Sequence, residues 1–141
     1  MASDLTQTAR EAVNAFNDND WGKYQELMTS DCLYDEVGTS RQLKGPDAII
    51  SAMKGWKEAM PDAKGTVTNA VSGGNTVTLE VTWKGTHTGP LQGPSGAIPA
   101  TGKQQTTRAG WVLDFEGNKV KKSQHYFDML SFMQQLGIKP S

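Results

Sequence analysis

Two side chains in this 141-residue chain have the chemistry for proton transfer: His87, in VTWKGTHTGPL at 81–91, and Asp128, in QHYFDML near the end. A carboxylate can take a proton from the carbon beside a carbonyl and return it to a new alkoxide, acting first as base and then as acid. A freely solvated Asp, with a pKa of about 3.9, is a weak base for that step, but apolar walls disfavour its charged form and raise the value. An imidazole at the rim of the same hollow could orient a substrate or donate to a developing enolate oxygen.

Strand parity decides whether these groups meet. From Thr76 the odd positions carry Val77, Leu79, Val81 and Trp83 and the even ones Thr76, Thr78, Glu80 and Thr82, so the odd face is expected to be buried. If the alternation survives Gly85, His87 points the same way as Trp83. In the last strand Val120, Lys122, Gln124, Tyr126 and Asp128 are expected to face inward, with Lys121, Ser123, His125 and Phe127 outward. That gives Asp128 as the proton-transfer group and His87 as an orienting donor. Trp83, Tyr126, Gln124, Trp56 and Tyr34 would contact the substrate. Plainer roles stay open: Asp128 can cap the helix it begins, His87 can serve as a loop hydrogen-bonding group, and the tryptophan and methionine stripes can be ordinary core.

The elements that must position these residues follow from periodicity. Leu5, Ala9, Ala12, Val13 and Phe16 have helical spacing, with Ser3 placed to cap. Asp20 can cap a short second helix whose Trp21, Tyr24, Leu27 and Met28 share one side. CLYDEV reads as a strand, and GPDAIISAMKGWKEAMP as a third helix with Pro46 at its first position and Ile49, Ile50, Met53 and Trp56 as its stripe. The period then shortens to two. KGTVTNAV, TVTLEVTWKGTHT, KQQTTRAGWVLDF and KVKKSQHYFD read as four antiparallel strands in a meander, with turns at SGGN and EGNK. A terminal helix closes the chain, with Gly137 and Pro140 as its stop. The order implies one α+β domain over 1–141, with helices packed on one face of a curved antiparallel sheet around an apolar interior.

Composition excludes several function classes. A net charge of −1 from 14 basic and 15 acidic residues leaves no field to attract nucleic acid or an acidic membrane. A single cysteine, Cys32, precludes an internal disulfide and lacks the neighbours of a metal or redox site. Two histidines separated by a hairpin make a poor metal site. SGGN is a hairpin turn rather than a phosphate loop, and GPSGA lacks the spacing of a nucleophile elbow and reads as a flap. No apolar run is long enough to span a membrane and no targeting segment opens the chain, so a cytoplasmic protein is expected.

Several stretches taken in order resemble a known family: LKGPDAI before the third helix, MPD after it, GTHTGPLQG closing a strand, TG before the next, and YFD followed by LSFMQQLG. Together they look like the SnoaL-like polyketide cyclases, or ester cyclases, of the NTF2-like superfamily, over nearly the whole chain. The resemblance implies an α+β cone that commonly dimerises and closes a ring by intramolecular aldol condensation, with no metal or organic cofactor. It also implies a key aspartate at the end of the last strand, matched here by Asp128. Where many members carry a tryptophan and an aspartate, this chain has Gln124 and His125.

The function expected is cofactor-free acid/base chemistry on an aromatic or otherwise apolar carbonyl compound, most simply a polyketide-type aldol cyclisation. An isomerase or hydratase using the same carboxylate, or a protein that binds a small apolar ligand without chemistry, are the alternatives. The lightly charged outer face of Thr76, Thr78 and Thr82 with Thr66 and Thr68 suits a second sheet, so a homodimer is expected.

Overall fold

The computed structural model describes residues 2–93 and 96–139. Helix α1 runs Ala2–Asn17; the Ser3 side chain expected to cap it lies outside the described residues, as do Pro94, Ser95 and Pro140. Helix α2 is Trp21–Glu26, and Asp20 caps it by accepting from the Lys23 N–H at 3.1 Å. Strand β1, Met28–Glu36, leads through a 3-10 turn at Val37–Thr39 into β2, Arg41–Lys44. Helix α3 is Pro46–Ala59, with proline in the first turn, where a missing N–H leaves no bond unmade.

The meander follows as β3 (Lys64–Gly73), β4 (Thr76–Thr86), β7 (Gln104–Glu116) and β8 (Lys119–Phe127). A small hairpin of β5 (Leu91–Gly93) and β6 (Gly96–Ile98) interrupts it in the loop read as a flap. Helix α4, Met129–Gln135, ends at Gly137, whose φ of 72° suits a residue without a Cβ. No helix of the described residues is long and apolar enough to cross a membrane.

The six-stranded sheet has the order β2-β1-β8-β7-β4-β3. Its β3-β4-β7-β8 part is the expected antiparallel meander, whereas β1 joins β8 in parallel, beyond what a local pattern can show. The four residues of β2 carry too short a pattern to read, and they form a strand because β1 offers them an edge.

Helices α1 and α3 lie against the sheet. Val77, Leu79, Val81, Leu113 and Phe115 are at most 1% exposed and form the closed end of the core. Each such side chain contributes about 1.5–3 kcal/mol. Along the inner face of β7 the series Phe115, Leu113, Trp111, Ala109, Thr107, Gln105 passes from apolar to polar, and the polar end opens onto a cavity.

Candidate active site

The cavity, of about 70 Å³, lies between the inner sheet face and the helices. That is room for several waters, since one needs only about 10–15 Å³ by this kind of measure. Aromatic rings make up about half of its wall. Trp56 of α3 meets Phe127 and Phe132 edge-on at centroid distances of 6.4 and 5.7 Å, and Trp83 meets Phe16 at 5.1 Å. Such edge-to-face pairs hold each ring in a defined plane.

Into this wall the sheet sets a chain of polar groups. Tyr34 and Glu36 are two residues apart on the inner face of β1, and the parallel pairing places His125 of β8 directly beside Glu36. Four donors converge on the Glu36 carboxylate. Tyr34 Oη and Trp56 Nε1 donate to Oε2 at 2.9 and 3.0 Å, and Thr39 Oγ1 and Arg41 Nη2 to Oε1 at 2.6 and 2.9 Å. Glu36 is fully buried, and the paired guanidinium and dense hydrogen bonding are what make such burial tolerable.

His125 completes the chain. Its Nδ1 is 2.9 Å from Tyr34 Oη, and Trp83 Nε1 donates to its Nε2 at 3.2 Å. An indole nitrogen can only donate, so Nε2 accepts and the proton of the neutral ring sits on Nδ1. His125 then donates to Tyr34, whose own proton goes to Glu36. Burial pushes the His125 pKa down to about 4, against an opposing pull from the Glu36 charge, so the ring is neutral near pH 7. Burial first, and then the Glu36 charge, holds the Tyr34 hydroxyl well above its usual range and keeps it protonated.

Of the residues expected from sequence, the structure brings Trp83, Trp56 and Tyr34 together on the cavity wall. It places the others elsewhere. Tyr126 is 44% exposed, and Gln124 and Asp128 share its outward face. Asp128 Oδ1 accepts from Ser131 N at 3.1 Å and caps α4. The inverted parity comes from a bulge in the pairing with β7: Phe115 pairs with Val120 and Asp114 with Lys122, which leaves Lys121 as an extra residue. Val120 therefore faces in as expected, but beyond the bulge it is Ser123, His125 and Phe127 that do so. His125, expected outside, is 9% exposed and lines the cavity.

His87 is buried, as the parity of β4 suggests, but it does not line the cavity. Its Nδ1 accepts from Thr101 N at 3.3 Å and lies 3.1 Å from Thr101 Oγ1, while its backbone pairs with Lys103 and Gly102. It ties the 99–103 loop to the end of β4. Burial lowers its pKa, with the Gly89 carbonyl opposing.

Sequence reasoning missed Glu36, His125, Gln105 and Thr107. A signal existed for Glu36, which continues the parity of Cys32 and Tyr34. Another existed for Gln105 and Thr107, which extend the alternation of Trp111, Leu113 and Phe115 backward along β7. For His125 there was none, since the bulge is set by its partner strand.

No match was found among curated protein sequences. Solved structures share the whole fold at low identity. A proposed SnoaL-like polyketide cyclase from Jannaschia sp. CCS1 superposes with a TM-score of 0.87 at 17% identity, over 99% of this chain and 95% of that one. IdmH from Streptomyces antibioticus, a proposed polyketide cyclase, gives 0.81 at 20% identity, over 95% and 99%. AclR from Streptomyces galilaeus, a proposed hydroxylase, gives 0.83 at 20% identity, over 100% and 89%. The family model for SnoaL-like polyketide cyclases matches residues 6–136, and with nearly the whole chain so covered the protein belongs to that family.

Proposed function

We propose that the protein is a cofactor-free enzyme that moves a proton on a small carbonyl compound, in an aldol-type ring closure of the polyketide kind. The observation that supports this reading most is His125 on the cavity wall, its Nδ1 tied through Tyr34 to the buried Glu36 carboxylate. In this scheme His125 Nε2 takes the proton from the carbon between two carbonyls. The imidazolium so formed keeps Nδ1–H on Tyr34, and the nearby Glu36 charge stabilises it. Trp83 Nε1–H must leave Nε2 before that lone pair can take the proton, and the indole N–H so released donates to the enolate oxygen. His125 then returns the proton to the new alkoxide. A base with a pKa of about 4 suits only an activated carbon acid, which favours a 1,3-dicarbonyl substrate over a simple ketone.

A second reading has its own observation. Trp83 Nε1 occupies the only lone pair of His125 Nε2, and an imidazole whose nitrogens are both engaged by neighbouring side chains suits an apolar ligand held without chemistry. Deuterium exchange at the α-carbon of 1-phenylbutane-1,3-dione, followed by NMR, separates the two. Saturable acceleration by the wild type, lost in His125→Gln, supports the enzyme. Binding of the diketone with exchange no faster than in buffer supports the binding protein and overturns the first reading.

The assembly proposed is a homodimer through the outer face of β3 and β4, where Thr66 and Thr68 are exposed beside Val71, itself 58% exposed.

A further inference from the structure

We infer that Gln105 recognises a second, non-reacting carbonyl oxygen of the ligand at a point on the cavity wall other than His125; this rests on reading the cavity as a small-carbonyl site. Gln105 lines the cavity and is 3% exposed. Its Oε1 accepts from Thr107 Oγ1 at 2.5 Å, whereas its Nε2 reaches only Met60 Sδ, at 3.5 Å, among the described residues. A thioether is a weak acceptor, so a primary amide with two N–H donors stays under-satisfied in an apolar wall. The reverse orientation would set the amide oxygen against sulfur with no donor between them, so the amide is assigned with its oxygen on the Thr107 hydroxyl.

The strand register keeps this donor apart from the relay. Gln105 pairs with Gly85, and His125 with Trp111, six residues further along β7. Between them the Trp83 indole, on the residue paired with Thr107, reaches His125 Nε2 at 3.2 Å, so the donor and the relay stand at two points on the wall of one cavity of about 70 Å³. Gly85 also makes the arrangement possible, because a Cβ there would stand 3.0 Å from Met60 Sδ and push the sulfur aside. The amide is itself a neutral donor with a thioether and a hydroxyl beside it, and the one cation among the described lining residues, Lys84, is exposed to solvent, so its complement is a neutral acceptor such as a ketone or ester carbonyl. The substrate class that follows is a flat compound with carbonyl oxygens at two separated positions. Thr107 is the positioning residue that aims the amide.

Calorimetric titration with 1-tetralone and with tetralin, the same bicycle lacking the oxygen, tests this. The wild type is expected to bind the ketone about tenfold more tightly, the ratio that one neutral hydrogen bond gives. Gln105→Met should bind both equally, and Thr107→Val should fall between. If Gln105→Met does not fold, Thr107→Val decides by the same ratio. Equal binding by the wild type, a ketone preference that survives in Gln105→Met or is undiminished in Thr107→Val, or binding of neither compound overturns the inference. The assay reads binding alone, so a failure of proton transfer at His125 leaves it standing.

Discussion

Tyr34 Oη stands 2.9 Å from His125 Nδ1 and an equal 2.9 Å from Glu36 Oε2, so one hydroxyl joins a neutral imidazole on the cavity wall to a fully buried carboxylate. Neither partner could hold its state alone. Without Tyr34 the His125 Nδ1–H would lack an acceptor, and Glu36 would lose one of the donors that offset its burial. Tyr34→Phe is expected to destabilise the fold by about 1–3 kcal/mol, read by urea unfolding, and to slow diketone exchange; an unchanged exchange rate would show that the relay does not serve catalysis.

The depressed His125 pKa makes stability depend on pH. The folded value is about 4 against an ordinary 6.5, so between those limits the unfolded chain binds the extra proton. The stability is fully present above about pH 6.5 and is lost as pH falls toward 4. The loss attributable to this residue is of the order of 3 kcal/mol. Unfolding curves from pH 7.5 to 4.5 should show a steeper decline for the wild type than for His125→Gln. Parallel declines would mean that the burial penalty lies elsewhere, for example at His87.

Glu36→Ala should be among the most damaging single substitutions. It leaves the buried Tyr34 hydroxyl and the part-buried Trp56 indole without their acceptor, while Arg41, its side chain 39% exposed, can turn to water, a loss of about 1–3 kcal/mol for each stranded donor. Glu36→Gln keeps the shape but turns an amide toward groups that are themselves donors, and is expected to fall between Glu36→Ala and the wild type. Chemical denaturation of both variants checks the order.

Gly65 lies beneath the Trp83 indole, where an added Cβ would come 2.5 Å from the ring. Gly65→Ala is expected to push Trp83 off Phe16 and away from His125 Nε2, at about 1–3 kcal/mol of stability. A shifted tryptophan emission with weakened binding of 1-tetralone would show it, and an unchanged spectrum would place Trp83 elsewhere.

Asp128 separates the sequence reading from the structural one. Asp128→Asn keeps the hydrogen bond to Ser131 N and should leave both stability and diketone exchange unchanged, whereas Asp128→Ala should lose about 1 kcal/mol with exchange intact. Loss of exchange in the Asn variant would return the catalytic role to this residue.

What the chain decided by itself was everything with a local cause. Helix α3 follows from Pro46 and the stripe of Ile49, Ile50 and Met53, helix α2 from the Asp20 cap, and the inner face of β4 from the strict alternation of Val77, Leu79 and Val81. The ordered motifs also carried the family, and Trp83, Trp56 and Tyr34 were legible as residues facing the interior, where they line the cavity, because bulky aromatics on buried faces have few other places to go. Tertiary structure alone decided the rest. The parallel pairing of β1 with β8 sets Glu36 beside His125, 125 − 36 = 89 positions further along the chain, and no local period encodes such a partner. The bulge at Lys121 arises because β8 must match β7 on one side and β1 on the other, and that one extra residue turns His125 in and Asp128 out.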